Sequence, residues 1–563
     1  MKVLQLDVSN IEFEPMQPEA NVYEQAEKKV TRVDNALTML IAIESGDTEE
    51  QAAKAVNDAV AFAKQQKINK IVIYPFAHLS SNLENPGAAL KLLNFMRAVA
   101  ASSGLEVISA PFGWNKRMSI NVKGYPLAEQ SREYGSATTG TVRTHKKIDT
   151  SLVRKSDWSG LPPTDHRTIG ERLNLYSFQE VSPAMVYWHS NGWSIYKELV
   201  KFIREIEWMQ DYKEISTPAI ADVSLWEVSG HLAHYMKDMF VFDSDFGTIG
   251  LKPMNCPSTM LIYKSRKWSY KELPFRTAIF DKIYRKELSG VVTGLFRVKE
   301  LTQDDGHIFA REDQIEEEIS LLLQFVKKVY DTFGMKFSAK LSTMPDDHLG
   351  DEALWNKATE ALKKALESNN ISYEIKDKEG AFYGPKIDFD VFDSIGRSWQ
   401  CATIQLDYQL PMRFKLEYTD ENGKQKMPVV IHRAILGSIE RFTGIITEHY
   451  QGKFPTWLAP VQVRVISISE AYNGYAQQIH EMLRNNFIKS ELDISDKTLE
   501  YKVRDAQVHG VPYTIIVGKK EMEANSISIR SRDNNKQTLD VKPEEFVEKV
   551  LKEIKDRSMT LSY

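Results

Sequence analysis

No other stretch of this chain limits its fold and chemistry as tightly as residues 284–309. It opens on Tyr284-Arg285-Lys286-Glu287 and ends on Phe296-Arg297-Val298-Lys299-Glu300-Leu301-Thr302-Gln303-Asp304-Asp305-Gly306-His307-Ile308-Phe309. Side chains alternate faces along a strand. A strand here puts Arg297, Gln303, Asp305 and His307 on one side and Phe296, Val298 and Ile308 on the other. Arg285 and Glu287 repeat the two-residue relation one segment earlier, and Ser289-Gly290 with Gly294 fits the turn between two antiparallel strands. The pattern predicts an apolar face that packs and a polar face of arginines, acids, an amide and an imidazole. From spacing alone that polar face reads equally as a solvated surface laced with ion pairs or as a substrate clamp. Asp305 beside His307 is a poor choice for a surface and a good one next to a metal.

The rest of the chain sets the frame. Its 563 residues predict three or four domains, and 42% hydrophobic with 26% charged residues describes a globular protein. No apolar run approaches the ~20 residues of a membrane span. The start, Met1-Lys2-Val3-Leu4-Gln5-Leu6-Asp7, is too short and too acidic for a signal peptide. Two cysteines, Cys256 and Cys401, leave no disulfide framework and fit a reducing, cytoplasmic setting. A net charge of −5 assigns any nucleic-acid contact to local basic patches.

Residues 1–135 alternate strand and helix: apolar runs at 3–8, 36–43, 71–74 and 106–109, with helices expected over 49–66 and 87–103. Turns follow at Tyr74-Pro75-Phe76-Ala77-His78, Ala110-Pro111-Phe112-Gly113-Trp114 and Lys123-Gly124-Tyr125-Pro126-Leu127-Ala128-Glu129. Residues 136–164, rich in Gly, Ser, Thr and Pro with Arg143, Lys146, Lys147, Arg154 and Lys155, read as a linker. From 165 to 455, Ile195, Leu199, Phe202, Ile203 and Ile206 recur at helical spacing. The run Ile435, Ile439, Phe442, Ile446 predicts a second apolar helix stripe, with Ser438 and Arg441 on another face. After Phe454-Pro455-Thr456-Trp457, residues 456–563 read as a further α/β domain, with strands at 461–468, 513–517 and 527–529 and helices at 472–487 and 543–554.

Tyr-Arg-Lys-Glu at 284–287 resembles motif 2 of class II aminoacyl-tRNA synthetases, and Thr-Gln-Asp-Asp-Gly-His-Ile-Phe resembles its continuation in threonyl-tRNA synthetases. Thr217-Pro218 is similar to motif 1, and His432-Arg433-Ala434 through Phe442 to motif 3. Tyr-Pro-Phe-Ala-His-Leu-Ser at 74–80 and Pro-Leu-Ala-Glu at 126–129 resemble the editing domain of the archaeal enzymes, itself similar to D-aminoacyl-tRNA deacylases. The resemblance implies an α/β and α+β multidomain protein. It would have a deacylase-like editing domain, an antiparallel-sheet catalytic domain and an α/β anticodon-binding domain.

That resemblance also implies roles. Arg285 would hold the α-phosphate of ATP and Arg441 its γ-phosphate, with Glu287, Arg297, Gln400 and Ser438 positioning the nucleotide and Mg²⁺ accompanying it. Cys256, His307 and His432 match the ligands of one Zn²⁺ per subunit. From spacing alone they form no local zinc motif, and a buried Cys is the plainer reading. Met254, Gln303, Asp305, Tyr383 and Gln405 would line a pocket for L-threonine, with Lys386 near the reacting carboxylate and His231 near the terminal ribose of tRNA(Thr). His78, Lys116 and Glu129 match the editing positions, and Glu521 and Arg530 match anticodon-reading positions. Motif 1 implies a homodimer.

The chain departs from the family pattern at Lys299-Glu300-Leu301, where Arg-Gly-Phe is usual, and at Gly306, Thr259, Asn115 and Asp496. Two other readings remain to be weighed. A prolyl relative would not share Cys256 with Thr-Gln-Asp-Asp-Gly-His and Tyr-Gly-Pro-Lys, and an RNA-binding relative that had lost synthesis would have no use for Arg285, Arg441 and three metal positions.

Overall fold

A computed structural model describes residues 1–134, 158 and 160–563, apart from 21, 81, 126, 246, 289, 290, 535 and 536. Most of the expected linker, with Arg143, Lys146, Lys147, Arg154 and Lys155, lies outside the described residues, as does the Ser289-Gly290 turn. The chain divides into two compact units, Met1–Lys146 and Lys147–Tyr563.

The first unit is a six-stranded sheet under two helices. Its elements are β1 (Lys2–Pro18), β2 (Thr31–Ala42), α1 (Glu49–Gln65), β3 (Lys70–Pro75), α2 (Pro86–Ala101), β4 (Glu106–Ser109), β5 (Trp114–Val122) and β6 (Glu129–Glu133). The order is β4-β3-β2-β1-β5, with β6 also on β1. Thr48 starts α1: its hydroxyl accepts the Gln51 N–H while the Gln51 side chain accepts the Thr48 N–H, a reciprocal cap. The small residues Ala52, Ala55, Ala59 and Ala63 let α1 lie close on the sheet beside Leu93 and Met96 of α2. On the other face Phe13 meets Tyr74 edge-on, ring centroids 5.7 Å apart. The four expected strands and both helices are present, and β5 and β6 are additions.

The second unit is built on two large sheets, with smaller two- and three-stranded ribbons around them. The larger is built from β7 (Lys213–Glu214), β8 (Phe275–Ile279), β11 (Asp305–Ala310), β12 (Lys336–Ser342), β13 (Tyr373–Lys376), β14 (Lys386–Phe392), β15 (Ser398–Asp407) and β16 (Val429–Ala434), in the order β13-β12-β14-β15-β16-β11-β8-β7. All its pairings are antiparallel except the two edges, β12 with β13 and β8 with β7. One face, with Ile308, Ile387, Leu406 and Ile431, joins α4 (Ser190–Met209), α6 (Ile315–Thr332), α7 (Glu352–Ser368) and α8 (Ile439–His449) in one large core. The other face carries the polar residues described below. Between these elements lie α3 (His166–Arg172), α5 (Cys256–Lys264) and a ribbon of β9 (Lys282–Tyr284) with β10 (Glu300–Thr302).

Two expectations fail in detail. Arg297 is not on a strand: it sits in the turn before β10, and β11 starts only at Asp305. The break has a cause in Asp304, fully buried, whose carboxylate accepts the N–H groups of Ile435 and Leu436 and so turns the chain from ribbon to sheet. Ile435 is buried as expected but precedes α8, which begins at Ile439 with Ser438 as its cap.

The smaller sheet comprises β17 (Val463–Ser467), β18 (Ser490–Asp493), β19 (Tyr513–Val517), β20 (Ile527–Ser531) and β21 (Gln537–Val541), in the order β18-β17-β19-β20-β21. It is packed by α9 (Asn473–Asn485) and α11 (Pro543–Lys555), whose Ile479, Leu483, Phe546 and Val550 enter its core, while α10 (Leu499–Val508) packs Val503 on Ile466 and Ile516. Lys489, before β18, reaches Glu198 of α4 at 3.0 Å and so ties the two sheets together.

Candidate active site

Strand register builds the site. His307 on β11 lies opposite His432 on β16, His432 opposite Gln405 on β15, and Gln405 opposite Lys386 on β14. Residues in register share a face, so these four form one row across the sheet. The helix start at α5 brings Cys256 to one end of the row. A ligand atom from each of Cys256, His307 and His432 lies within 4.8 Å of the others, all three buried.

The donors around this trio fit a metal. Nε2 of His432 is 2.9 Å from Asp407 Oδ2, and Asp407 Oδ1 is fixed by the N–H groups of Gln409 and Leu410. That carboxylate–imidazole pair orients a ring and leaves Nδ1 as the ligand. Nδ1 of His307 is buried without a hydrogen-bond partner. Burial pushes the His307 pKa far down, with His432 next in effect, and so favours the neutral ring a metal needs. Burial likewise pushes the Cys256 thiol up, so a thiolate here calls for a cation beside it.

Around the trio, Asn255 Nδ2 donates to Asp305 Oδ2 at 3.1 Å, and the Tyr383 hydroxyl donates to Gln405 at 2.5 Å. Met254 Sδ is 3.2 Å from Nε2 of His231. His231 is wholly buried, 3.9 Å from Cys256 Sγ, with its pKa pushed down to about 3, chiefly by burial.

Beyond Gln405 the row opens into a cavity of about 420 Å³. Arg285, Glu287, Arg297, Gln400, Ser438 and Arg441 all line it, with Gln303, Lys386 and Gln405. Arg285 Nε reaches Pro253 O, 3.4 Å away, just before the metal trio's loop. Arg441 is aimed by Gln400 O and Phe296 O at 3.2 and 3.0 Å. Lys386 Nζ pairs with Asp388 at 2.9 Å, and Ser342 Oγ steadies that carboxylate at 3.0 Å. An anion entering this cavity meets three guanidiniums and an ammonium. A small amino acid at the trio would extend its carboxylate toward them past Gln405.

Residue-type reasoning gave no role to Asp407, Asn255 or Asp388. The signal for Asp407 and Asn255 was position: each is a polar residue in an otherwise buried run. Three of the departures, Gly306, Leu301 and Thr259, fit their packing. A Cβ on Gly306 would lie 2.4 Å from Arg433 Nε, so Gly admits the buried guanidinium that pairs with Glu207 of α4. Leu301 packs with Ile283 and Val298 at the cavity wall. Thr259 is fully buried and donates to Asn255 O at 3.1 Å.

The first unit has its own cavity of about 730 Å³, lined among others by Tyr74, His78, Trp114, Asn115 and Lys116. Lys116 Nζ donates to Pro111 O and Trp114 O, both 3.0 Å away, and burial lowers its pKa to about 8. Glu129 does not join them: it is exposed at the start of β6, opposite Leu6. Beside the smaller sheet, on the short helix Lys519–Ala524, Glu521 spends both oxygens locally, on Gly518 N–H and Ser528 Oγ, and Arg530 is half-buried on β20.

Comparison with known proteins matches three family models. Residues 1–134 fit the archaea-specific editing domain of threonyl-tRNA synthetase, 240–450 the class II tRNA synthetase core (G, H, P, S and T), and 462–553 an anticodon-binding domain. A threonine–tRNA ligase from Petrotoga mobilis is 48% identical over 401 residues, 71% of this chain and 62% of that protein. A threonine–tRNA ligase catalytic subunit from Sulfurisphaera tokodaii is 49% identical over 402 residues, 71% of this chain and 74% of that one. The chain belongs to the threonine–tRNA ligase family. Its second unit has the fold of these ligases: a Cryptosporidium parvum structure described as the RNA-binding domain of threonyl-tRNA synthetase superposes with a TM-score of 0.68 at 39% identity, covering 71% of this chain and 99% of that one. As a family member it combines a class II catalytic core with an archaeal-type editing domain.

Proposed function

We propose that this chain activates L-threonine with Mg²⁺-ATP, transfers it to tRNA(Thr), and hydrolyses serine attached in its place. One observation carries the synthetic half: a single sheet row runs from a metal-type trio, through Gln405, into a cavity walled by Arg285, Arg297 and Arg441. In this reading the substrate carboxylate attacks the α-phosphorus, pyrophosphate leaves, and the tRNA's terminal hydroxyl then displaces AMP from the adenylate. Arg285 holds the α-phosphate and Arg441 the γ-phosphate, meeting charge where it develops. Glu287, Arg297, Gln400 and Ser438 orient the nucleotide, and Lys386, held by Asp388, faces the attacking carboxylate. His231 backs the pocket floor beside Met254, and any part in transfer to the ribose needs it uncovered.

Cys256, His307 and His432 would hold Zn²⁺, which supplies an open coordination position for the substrate amine and hydroxyl. Asp305, fixed by Asn255, accepts from that hydroxyl, and Met254, Gln303, Tyr383 and Gln405 close the pocket. A site that demands a hydroxyl rejects valine by about 10⁴ or more, but serine meets the same demand and lacks only a methyl, worth ~1–3 kcal/mol. The first unit, with Lys116 and His78 in one cavity, is the hydrolytic site that this shortfall calls for. Glu129 belongs to it only through a rearrangement or a second copy.

The chain acts in the cytoplasm as a homodimer, supported by Trp208 and Met209 at the end of α4, 81% and 60% exposed. Among the described residues no helix is long and apolar enough to cross a membrane. Arg530 on β20 and Glu521 on the short helix before it belong to the α/β domain that would meet the anticodon. The test is acylation: zinc-loaded protein should attach threonine to tRNA(Thr) and leave no lasting seryl-tRNA. Failure to charge any threonine acceptor contradicts the proposal.

A further inference from the structure

One largely buried cluster outside the cavity links its two walls. Asp165, His166 and Glu448 bring side-chain donors within 4.8 Å of one another. Arg167 on Asp165, at 2.8 Å, and Arg397 on Glu448 already supply the cations a metal would bring. His166 is wholly buried, and both its N–H and its Nδ1 meet Glu448 Oε1, at 2.8 and 2.7 Å. A carboxylate at Nδ1 keeps the ring proton there and leaves Nε2 an acceptor. Nε2 takes the N–H of Leu295 at 3.1 Å. The ring also lies against Phe296, centroids 4.0 Å apart, and Phe296 O receives Arg441 Nη1 at 3.0 Å. Glu448 is on α8, the helix that carries Arg441. Thus one imidazole joins that helix to the segment on which Arg297 stands.

We propose that His166 is a positioning residue of the nucleotide site, a latch that holds the Leu295–Arg297 segment against α8 so that Arg297 and Arg441 grip one ATP. The proposal rests on the ligase reading above. It explains Gly294, whose φ is +49° and whose Cβ would stand 2.2 Å from His166 Nε2. A larger residue there would push the segment off the latch.

The test measures threonine-dependent ATP–pyrophosphate exchange in the full chain and in His166→Asn, His166→Gln and Gly294→Ala. Asparagine keeps a donor toward Glu448 but falls short of Leu295, whereas glutamine sets an oxygen near the place of Nε2. We expect the KM for ATP to rise about tenfold in His166→Asn and in Gly294→Ala, the scale of one lost buried hydrogen bond, with the KM for threonine within about twofold. His166→Gln should recover most of the ATP KM. An unchanged ATP KM, a threonine KM that rises in step with it, or a glutamine variant no better than asparagine overturns the latch. If His166→Asn does not fold, Gly294→Ala, which leaves the His166–Glu448 pair intact, decides by the same two constants. A parent chain without threonine-dependent exchange refutes the ligase reading, and the latch with it.

Discussion

Asp407 touches no substrate in the proposed mechanism, yet it fixes the His432 ring from behind. Asp407→Asn should weaken zinc binding about 10–100-fold, the usual cost of losing such a partner, as measured by chelator competition; unchanged affinity would place the metal elsewhere. Removing Arg285 or Arg441 as alanine should cut pyrophosphate exchange by about 10²–10³, because each meets charge that grows in the transition state. Lys116 carries a pH signature. Burial lowers its pKa to about 8 from the usual 10.5, so the folded chain gives up this proton before the unfolded chain does. Between those values the unfolded state binds more protons, and Lys116 makes the first unit more stable as pH rises. Denaturant midpoints of residues 1–134 taken from pH 8 to 10.5 should show that slope shrink in Lys116→Met.

Elements were legible where burial wrote a pattern. Tyr513–Val517 and Glu106–Ser109 were expected with their observed ends, because a compact apolar or β-branched run bounded by turns has few alternatives. β5 and β6 were not, since both are half-exposed and alternate polar residues with few apolar ones. The polar face at 284–309 was half legible. Asp305 and His307 do share a strand face, but parity carried the pattern back to Arg297 across a break that only Asp304's long-range bonds reveal. The metal trio needed family resemblance, because register between β11 and β16, not sequence spacing, brings it together. The separate sheet and core of the first unit predict that synthesis and editing come apart. A chain lacking residues 1–135 should charge threonine at near-normal rate and accumulate seryl-tRNA; prompt hydrolysis of seryl-tRNA by that truncated chain would move the editing site elsewhere.

At the scale of the whole molecule, an indole that is 81% exposed at the end of an otherwise packed helix asks for a cover. Light scattering should report twice the 64.5 kDa chain mass, and Trp208→Glu should shift the species toward the monomer with loss of activity. A fully active monomer contradicts the dimer. The central claim is that one row of the large sheet selects a hydroxyl-bearing amino acid and delivers its carboxylate to ATP. Amino-acid-dependent ATP–pyrophosphate exchange, run with threonine, serine, valine and proline on the zinc-loaded chain, tests it most directly. The account predicts fast exchange with threonine, exchange with serine about 10–200-fold slower for want of one methyl, and none above background with valine or proline. Exchange driven by proline or valine as readily as by threonine, or none with threonine, would contradict it.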